Sequence, residues 1–192
     1  TKKTIYKILS GSENFDLFFV NPQKYAEKVT EKIKECKKSF EARNIKYINL
    51  EDKYETSLFR DEVMSYESYI IKIDKSIYDG IIKDSAIEEK FAKELDKDSL
   101  IKLYIKLPEW YVIETPAGNY TPDWAIVVEK IHADQIEDKI FFVVETKGTN
   151  NINDLRPEEK IKIESAKKRF ELIENTQFIA PVKDYESFEK KM

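Results

Sequence analysis

The chain contains few of the residues from which several common kinds of site are built. Among its 192 residues there is one cysteine, Cys36, and one histidine, His132. A single cysteine excludes a disulfide within the chain, and a reducing cytoplasm is the simplest location for such a protein. A single histidine excludes a metal site made of several histidines. No Gly-x-x-x-x-Gly-Lys-Ser/Thr sequence occurs, so we expect the chain neither to bind nor to hydrolyse ATP.

The sequence also lacks long apolar runs. No stretch approaches the roughly 18 apolar residues that cross a bilayer, and no signal peptide opens the chain, so we expect no membrane association. The composition, 41% hydrophobic and 36% charged residues, predicts a folded domain rather than a disordered one. The net charge of −4 argues against non-specific binding of nucleic acid by the whole surface, but it is compatible with a local basic groove.

Residues 1–75 predict an N-terminal α/β extension. Two short strands are expected at 4–9 and 16–20, around a Gly-Ser-Glu-Asn turn. Asn21-Pro22 then opens a helix whose apolar residues recur at steps of three and four: Tyr25, Val29, Ile33, Cys36 and Phe40. Further strand candidates lie at 45–50 and 69–73, whereas 58–64 is ambiguous. We place a soft boundary near residue 75, but the sequence shows no linker there, and an extension continuous with the core is the alternative.

Residues 76–192 predict a core in which helices flank an α/β sheet. Ser85 with Glu88 fits a capping box at the start of a second helix, and its expected buried stripe consists of Ile87, Phe91 and Leu95. Strands are predicted at 100–106, 110–114 and 177–182, a turn at 116–119, a third helix from 155–157 and a short terminal helix at 185–191. On the third helix, Ile163, Ala166, Phe170 and Ile173 share one face.

The central feature of this core is a predicted hairpin. Two apolar, β-branched runs, 124–131 and 140–144, flank a polar stretch at 132–139. Such a pattern predicts two antiparallel strands joined by a loop at their tip.

Charged residues are expected to converge at the open end of this hairpin. Side chains alternate along a strand, so Glu145 and Lys147 share one face and Thr146 points away. Asp123 stands where the first strand begins, and therefore beside the end of the second. Two carboxylates and a lysine in one place suit a hard cation such as Mg²⁺. A solvated Glu145–Lys147 ion pair is the structural alternative.

The extended sequence resembles a known family. Pro-Asp, an apolar strand, a loop, a second apolar strand and Glu-x-Lys-Gly follow in the order of the PD-(D/E)xK nucleases. The chain is similar in particular to the C-terminal endonuclease domain of the Res subunit of type III restriction enzymes. That similarity rests on Leu107-Pro108-Glu109-Trp110, Thr115-Pro116-Ala117-Gly118-Asn119-Tyr120, Pro122-Asp123-Trp124-Ala125, Val143-Val144-Glu145-Thr146-Lys147-Gly148 and, further on, Lys160-Ile161 and Ala166-Lys167-Lys168-Arg169-Phe170.

The resemblance implies a restriction-endonuclease-like fold and metal-dependent hydrolysis of double-stranded DNA. Asp123 and Glu145 would ligate Mg²⁺, with the Thr146 carbonyl as a further ligand. Lys147 would orient or deprotonate the attacking water, the second role requiring a lowered pKa. Glu88, or failing it Glu89, is a further metal-ligand candidate on the second helix. For Glu88 the capping role competes with the metal role.

Basic residues of the third helix are candidates for contact with phosphates. Arg156, Lys160 and Lys167 fall within a narrow arc, and we single out Lys160 and Lys167 as DNA-phosphate contacts. Lys162, Lys168 and Arg169 are expected to point elsewhere. The alternative for this arc is an ordinary solvated helix face.

The resemblance also implies partners: a helicase-like ATPase motor in the same polypeptide, and a DNA methyltransferase subunit that recognises the sequence. Two alternatives are a catalytically silent nuclease-like domain, which binds DNA or docks partner subunits, and a retaining glycosidase. A glycosidase also uses two carboxylates, but it needs no adjacent lysine.

Overall fold

The computed structural model describes residues 1–48, 70–78, 80–82, 85–132 and 135–192. They form two compact units, Thr1–Glu41 and Ala42–Met192. The division predicted near residue 75 stays a prediction, because most of residues 42–75 lie outside the described part. Within the described ranges, no helix is both long and apolar enough to cross a bilayer.

The N-terminal unit is helical. Helix α1 spans Lys2–Ser10, α2 spans Leu17–Val20, and α3 spans Pro22–Asn44 and so continues past the unit. The strands predicted at 4–9 and 16–20 are therefore wrong. Short apolar runs do not distinguish a strand from a helix, and here the Thr1 hydroxyl accepts a hydrogen bond from the Thr4 amide and caps α1.

The helix predicted after Asn21-Pro22 is confirmed. Of its apolar stripe, Tyr25, Val29 and Ile33 are half-buried, whereas Cys36 and Phe40 are exposed. Tyr25 packs edge-on against the rings of Phe15 and Phe18. The segment that precedes the helix therefore covers the beginning of the stripe, at Tyr25.

A four-stranded mixed sheet organises the second unit. Its strands are β3 (Ile101–Lys106), β4 (Trp124–His132), β5 (Gln135–Thr146) and β6 (Thr176–Val182), in the order β3-β4-β5-β6. Neighbouring strands are antiparallel except β5 and β6, which are parallel. Helices α4 (Ala86–Lys97), α5 (Pro157–Phe170) and α6 (Tyr185–Glu189) flank it, and β1 (Ile70–Lys72) pairs with β2 (Gly80–Ile82) in a small separate sheet. The predicted α/β class, a mixed sheet flanked by helices, is confirmed.

The central hairpin is longer than the sequence predicts. Strands β4 and β5 pair from Trp124 opposite Val144 to His132 opposite Gln135. The predicted loop at 132–139 is thus mostly strand, because backbone pairing continues past the apolar residues that reveal it in the sequence.

Two other predicted strands are not found as such. At 110–114 only Ile113 pairs, in an isolated bridge with Tyr120, because a turn closed by the Tyr111 amide on the Pro108 carbonyl precedes it. Residues 45–48 carry no regular structure, and the rest of that candidate and the ambiguous 58–64 lie outside the described residues.

Apolar clusters cover the sheet. The larger cluster contains Phe91, Leu95, Tyr104, Trp124, Phe142 and Phe188, and the smaller one contains Leu107, Ile113, Tyr120, Val143, Ala166 and Phe170.

The predicted cap of α4 is confirmed, since Ser85 accepts from the Glu88 amide. Ile87, however, is 37% exposed. Successive helical residues advance by about 100°, which places Glu88 rather than Ile87 on the face of Phe91 and Ala92.

Side chains on β5 alternate between a buried and an exposed face, and we expect substitutions on the buried face to cost far more stability. Replacing the fully buried Phe142 with alanine should cost about 3–5 kcal/mol of unfolding free energy, because the cavity cannot collapse completely. Its neighbour Phe141 points to the other face and is 43% exposed, so Phe141→Ala is the matched control and should cost far less. Urea denaturation measures both. Equal losses would contradict this account of the core.

Candidate active site

Asp123 ties the start of β4 to the end of β5. Its carboxylate oxygen Oδ2 accepts hydrogen bonds from both the Thr146 amide at 2.7 Å and the Thr146 hydroxyl at 2.6 Å. Its carbonyl accepts from the Leu107 amide at 2.8 Å, just beyond β3. Both its backbone and one side-chain oxygen are thus fixed, and the remaining oxygen, Oδ1, is left for other interactions.

Glu145 is buried beside it and carries two partners. Its side-chain oxygen Oε1 lies 3.0 Å from Lys147 Nζ, and Oε2 accepts a 2.8 Å hydrogen bond from the Tyr120 hydroxyl. The residue is only 4% exposed. Lys147 is held in turn by its backbone, since its amide donates to the Val182 carbonyl at 2.7 Å.

The structure thus brings together the three residues that the sequence places at one end of the hairpin. Asp123, Glu145 and Lys147 line one cleft of about 310 Å³. Thr146 points to the Asp123 side rather than toward Lys147, and its hydroxyl is used there. The Glu145–Lys147 ion pair that we considered as an alternative also exists, but it is a half-buried pair within the cleft.

Helix α5 forms another wall of this cleft, which the sequence reasoning missed. Glu159, Lys162 and Ile163 line it, and Glu159 Oε1 lies 3.6 Å from Lys147 Nζ. Lys162 was expected to point elsewhere. The helical spacing in the sequence could have indicated this position for Glu159, because it lies four residues before the buried Ile163 and therefore on the same face of α5.

Glu88 serves the helix cap and also approaches the site. Its amide donates to Ser85, whose hydroxyl donates back to Glu88 Oε1 at 3.1 Å. Its Oε2 lies 2.6 Å from Lys106 Nζ in a nearly buried ion pair. Burial is the main cause that raises the pKa of Asp123, and the negative charge of Glu88 adds to the rise. Glu89, the fallback candidate, instead pairs with Lys93 on the helix surface at 2.7 Å.

The two predicted phosphate contacts lie away from the residues that line this cleft. Lys160 is half-buried on α5 and is not among the lining residues. Lys167 lines a neighbouring groove of about 610 Å³ that shares Ile163 with the cleft. Arg156 is exposed at the start of α5, where its amide donates to Glu159.

The cleft holds more negative charge than its surroundings neutralise. Burial raises the pKa of Glu145 to about 7, and the charge of Asp123 adds to the rise, whereas Lys147 and Tyr120 oppose it. Burial also raises the pKa of Asp123, against the two hydrogen bonds from Thr146. Burial lowers the pKa of Lys147, but the charge and hydrogen bond of Glu145 outweigh it, and the net shift is upward.

This charge pattern fits a divalent cation. Among residues 1–48, 70–78, 80–82, 85–132 and 135–192, no group of three or more Asp, Glu, His or Cys side chains forms a ready-made metal site. Mg²⁺, however, is commonly bound by one or two carboxylates while water and substrate phosphate complete its shell. Asp123 and Glu145 supply two such carboxylates, and a cation would relieve the repulsion between them.

A mixed sheet with an acidic cleft at the open end of its central hairpin, flanked by helices, defines a restriction-endonuclease-like α/β domain. The family model described as an endonuclease domain matches residues 74–185, more than half of the chain. The chain belongs to this family of restriction endonuclease domains.

Relatives agree with this assignment. The Res subunit of the type III restriction-modification enzyme EcoPI of Escherichia phage P1 is 30% identical over 121 residues, which cover 59% of this chain and 12% of that protein. The EcoP15I Res subunit of Escherichia coli is 31% identical over 103 residues, which cover 53% and 10%. The match thus spans about a tenth of either relative. No solved structure matches the chain significantly.

The raised pKa of Glu145 predicts a pH dependence of stability. Between the unfolded value near 4.5 and the folded value of about 7, the folded metal-free protein binds the extra proton. The contribution of Glu145 is therefore fully present below 4.5 and is lost as the pH rises through 7. Glu145→Gln should remove this loss and stabilise the protein above pH 7, by on the order of 2 kcal/mol.

Thermal and urea unfolding between pH 4.5 and 8.5, in the presence of a chelator, measure this dependence. Glu129→Gln is the matched control, since that glutamate is also buried but pairs with Lys102 on β3. A wild-type curve parallel to that of Glu145→Gln would show that Glu145 does not titrate in this range.

Proposed function

We propose that this chain is the nuclease part of a type III restriction enzyme and hydrolyses phosphodiester bonds of double-stranded DNA with Mg²⁺. The observation that carries the proposal is the convergence of Asp123, Glu145 and Lys147 in one cleft of a chain that belongs to the endonuclease family. A buried and a half-buried carboxylate beside a lysine are suited to holding a cation against a phosphate.

Asp123 and Glu145 would hold the Mg²⁺ ion, with the Thr146 carbonyl as a further ligand. The bound cation would activate water and stabilise the charge that develops on the phosphate and the leaving oxygen. Asp123 Oδ1, which Thr146 does not use, is available to bind the cation. Glu145 Oε1 would bind the cation in place of its present contact with Lys147. Glu88 is a weaker candidate for a metal ligand, because it already forms an ion pair with Lys106.

Lys147 acts in this proposal as a cation that orients the attacking water and steadies the phosphate. Its pKa is raised in the metal-free site, so the ammonium form prevails there, and the role of a base is less suited to it. Glu145 and Glu159 hold its amine from two sides, at 3.0 and 3.6 Å.

The duplex would extend from the cleft along α5. Lys162 is a further cation at the cleft wall, and Lys160 and Lys167 are second-tier phosphate contacts. Lys167 lines the adjoining groove, and in this proposal it contacts a phosphate outside the cleft.

The proposed partners follow from the relatives. Both are Res subunits of type III restriction-modification enzymes. We therefore propose an ATP-driven, helicase-like motor in the same polypeptide, a separate DNA methyltransferase subunit that recognises the sequence, and a cytoplasmic location.

Metal binding is the first test. Calorimetric titration of Mn²⁺ or Mg²⁺ into the 192-residue chain should show binding that Asp123→Ala loses, because one of two carboxylate ligands is removed. Asp16→Ala changes an exposed aspartate in the N-terminal unit and should bind as the wild type does. Equal binding by Asp123→Ala would remove Asp123 from the site.

Cleavage is the second test, made with the full-length polypeptide and its methyltransferase subunit on plasmid DNA. Lys147→Ala should leave DNA binding nearly intact, since one phosphate contact among several is lost. The cleavage rate should fall by about 10²–10⁴-fold, as is typical when a positioned catalytic group is removed. Glu145→Ala should be inactive, whereas Lys24→Ala, on the exposed surface of α3, should cut normally.

The pattern of results separates the alternatives. Wild-type cleavage by both site variants would contradict the nuclease assignment and favour a catalytically silent domain that binds DNA or docks partners. An inactive Glu145→Ala with an active Lys147→Ala would leave the metal site standing and contradict only the role given to the lysine.

A further inference from the structure

Tyr120 enters the site from the hydrophobic core. It pairs with Ile113 through two backbone hydrogen bonds, of 2.8 and 3.0 Å. Its ring belongs to the smaller apolar cluster and packs edge-on against Phe178. The residue is only 7% exposed. Both the backbone and the ring are therefore fixed by contacts that do not involve the acidic residues.

The hydroxyl of this fixed ring has one described partner. It donates a 2.8 Å hydrogen bond to Glu145 Oε2. Burial first, and then the charge of Glu145, raise the pKa of Tyr120. A neutral donor stabilises a carboxylate without adding a positive charge that competes with a cation.

The two oxygens of Glu145 consequently have different partners. Oε2 faces the buried tyrosine, whereas Oε1 faces Lys147 at the cleft. A carboxylate attached through two rotatable methylene groups needs such a restraint, because its plane is otherwise free to turn. Outer hydrogen-bond partners of metal-binding carboxylates serve this purpose.

We propose that Tyr120 is a positioning residue that fixes the Glu145 carboxylate so that Oε1 is presented to the cation. This inference rests on the proposed metal-dependent nuclease function. Tyr120 itself touches neither the cation nor the DNA in this scheme, and it acts only through Glu145. A purely structural tyrosine would affect stability and leave the affinity for the cation unchanged.

The test is a calorimetric titration of Mn²⁺ into the 192-residue chain that carries Tyr120→Phe. It is made at a temperature at which circular dichroism shows every variant folded. The variant keeps the ring and loses only the hydroxyl. We expect the Mn²⁺ affinity to fall by about 10–100-fold, the usual effect of removing an outer partner. In the assembled enzyme, half-saturation by Mg²⁺ should shift upward while the KM for DNA stays unchanged.

Tyr104→Phe is the matched control. The Tyr104 hydroxyl is also buried and donates to the Ala92 carbonyl and to Asp96, within the larger core cluster. Its removal should lower the melting temperature and leave the Mn²⁺ affinity at the wild-type value.

Each outcome decides one point. If Tyr120→Phe binds Mn²⁺ as tightly as the wild type while Asp123→Ala does not bind, the positioning role is overturned and the nuclease proposal stands. If the wild type and Asp123→Ala are equally unable to bind Mn²⁺, the metal site and the role of Tyr120 both fail. If Tyr104→Phe loses as much affinity as Tyr120→Phe, the effect is one of stability and the inference is overturned.

Discussion

The double hydrogen bond from Thr146 to Asp123 is the constraint on which the site depends. It joins the first residue before β4 to the last residue of β5, at 2.7 and 2.6 Å, and so fixes the register where the hairpin opens. Glu145 and Lys147 flank Thr146 and therefore take the opposite face together. A slip of one residue would exchange the faces and move both charges out of the cleft. The geometry of three charged groups thus follows from one pair of short contacts and the alternation of a strand.

Burial of the charged groups favours the binding of a cation, and it also lowers the stability of the metal-free protein. Glu145 is as buried as much of the core, and it shares the cleft with two further carboxylates, Asp123 and Glu159, and with two lysines, Lys147 and Lys162. In a low-dielectric environment an uncompensated charge is expensive, but a cation is bound strongly there for the same reason. The apolar clusters covering the sheet supply the stability that makes this arrangement tolerable, a balance common at functional sites.

The parts of the fold that were predicted correctly are those with a clear hydrophobic period or a clear start signal such as a helix cap. The hairpin, the strand predicted at 100–106 and the capped helix after Ser85 each show a clear hydrophobic repeat, and the convergence of Asp123, Glu145 and Lys147 followed from the antiparallel hairpin together with the alternation of side chains along its strands. Helices α1 and α2 were missed because short, largely apolar runs fit either period. The length of β4 and β5 was underestimated because backbone pairing leaves no trace in polar residues.

The rest of the site depends on packing between elements that are distant in the sequence. Tyr120 contacts Glu145 across 25 positions of the sequence. This contact depends on Ile113, which pairs with its backbone, and on Phe178, which packs against its ring. Glu159 and Lys162 enter the cleft because the buried Ile163 sets the rotation of α5, which periodicity suggests but only packing decides. Glu88 shows the same limit most clearly. Its amide and Oε1 belong to the cap of α4, while the rotation set by Phe91 and Ala92 turns Oε2 inward to Lys106. The sequence shows the cap, but only packing shows that the same carboxylate also makes a nearly buried ion pair.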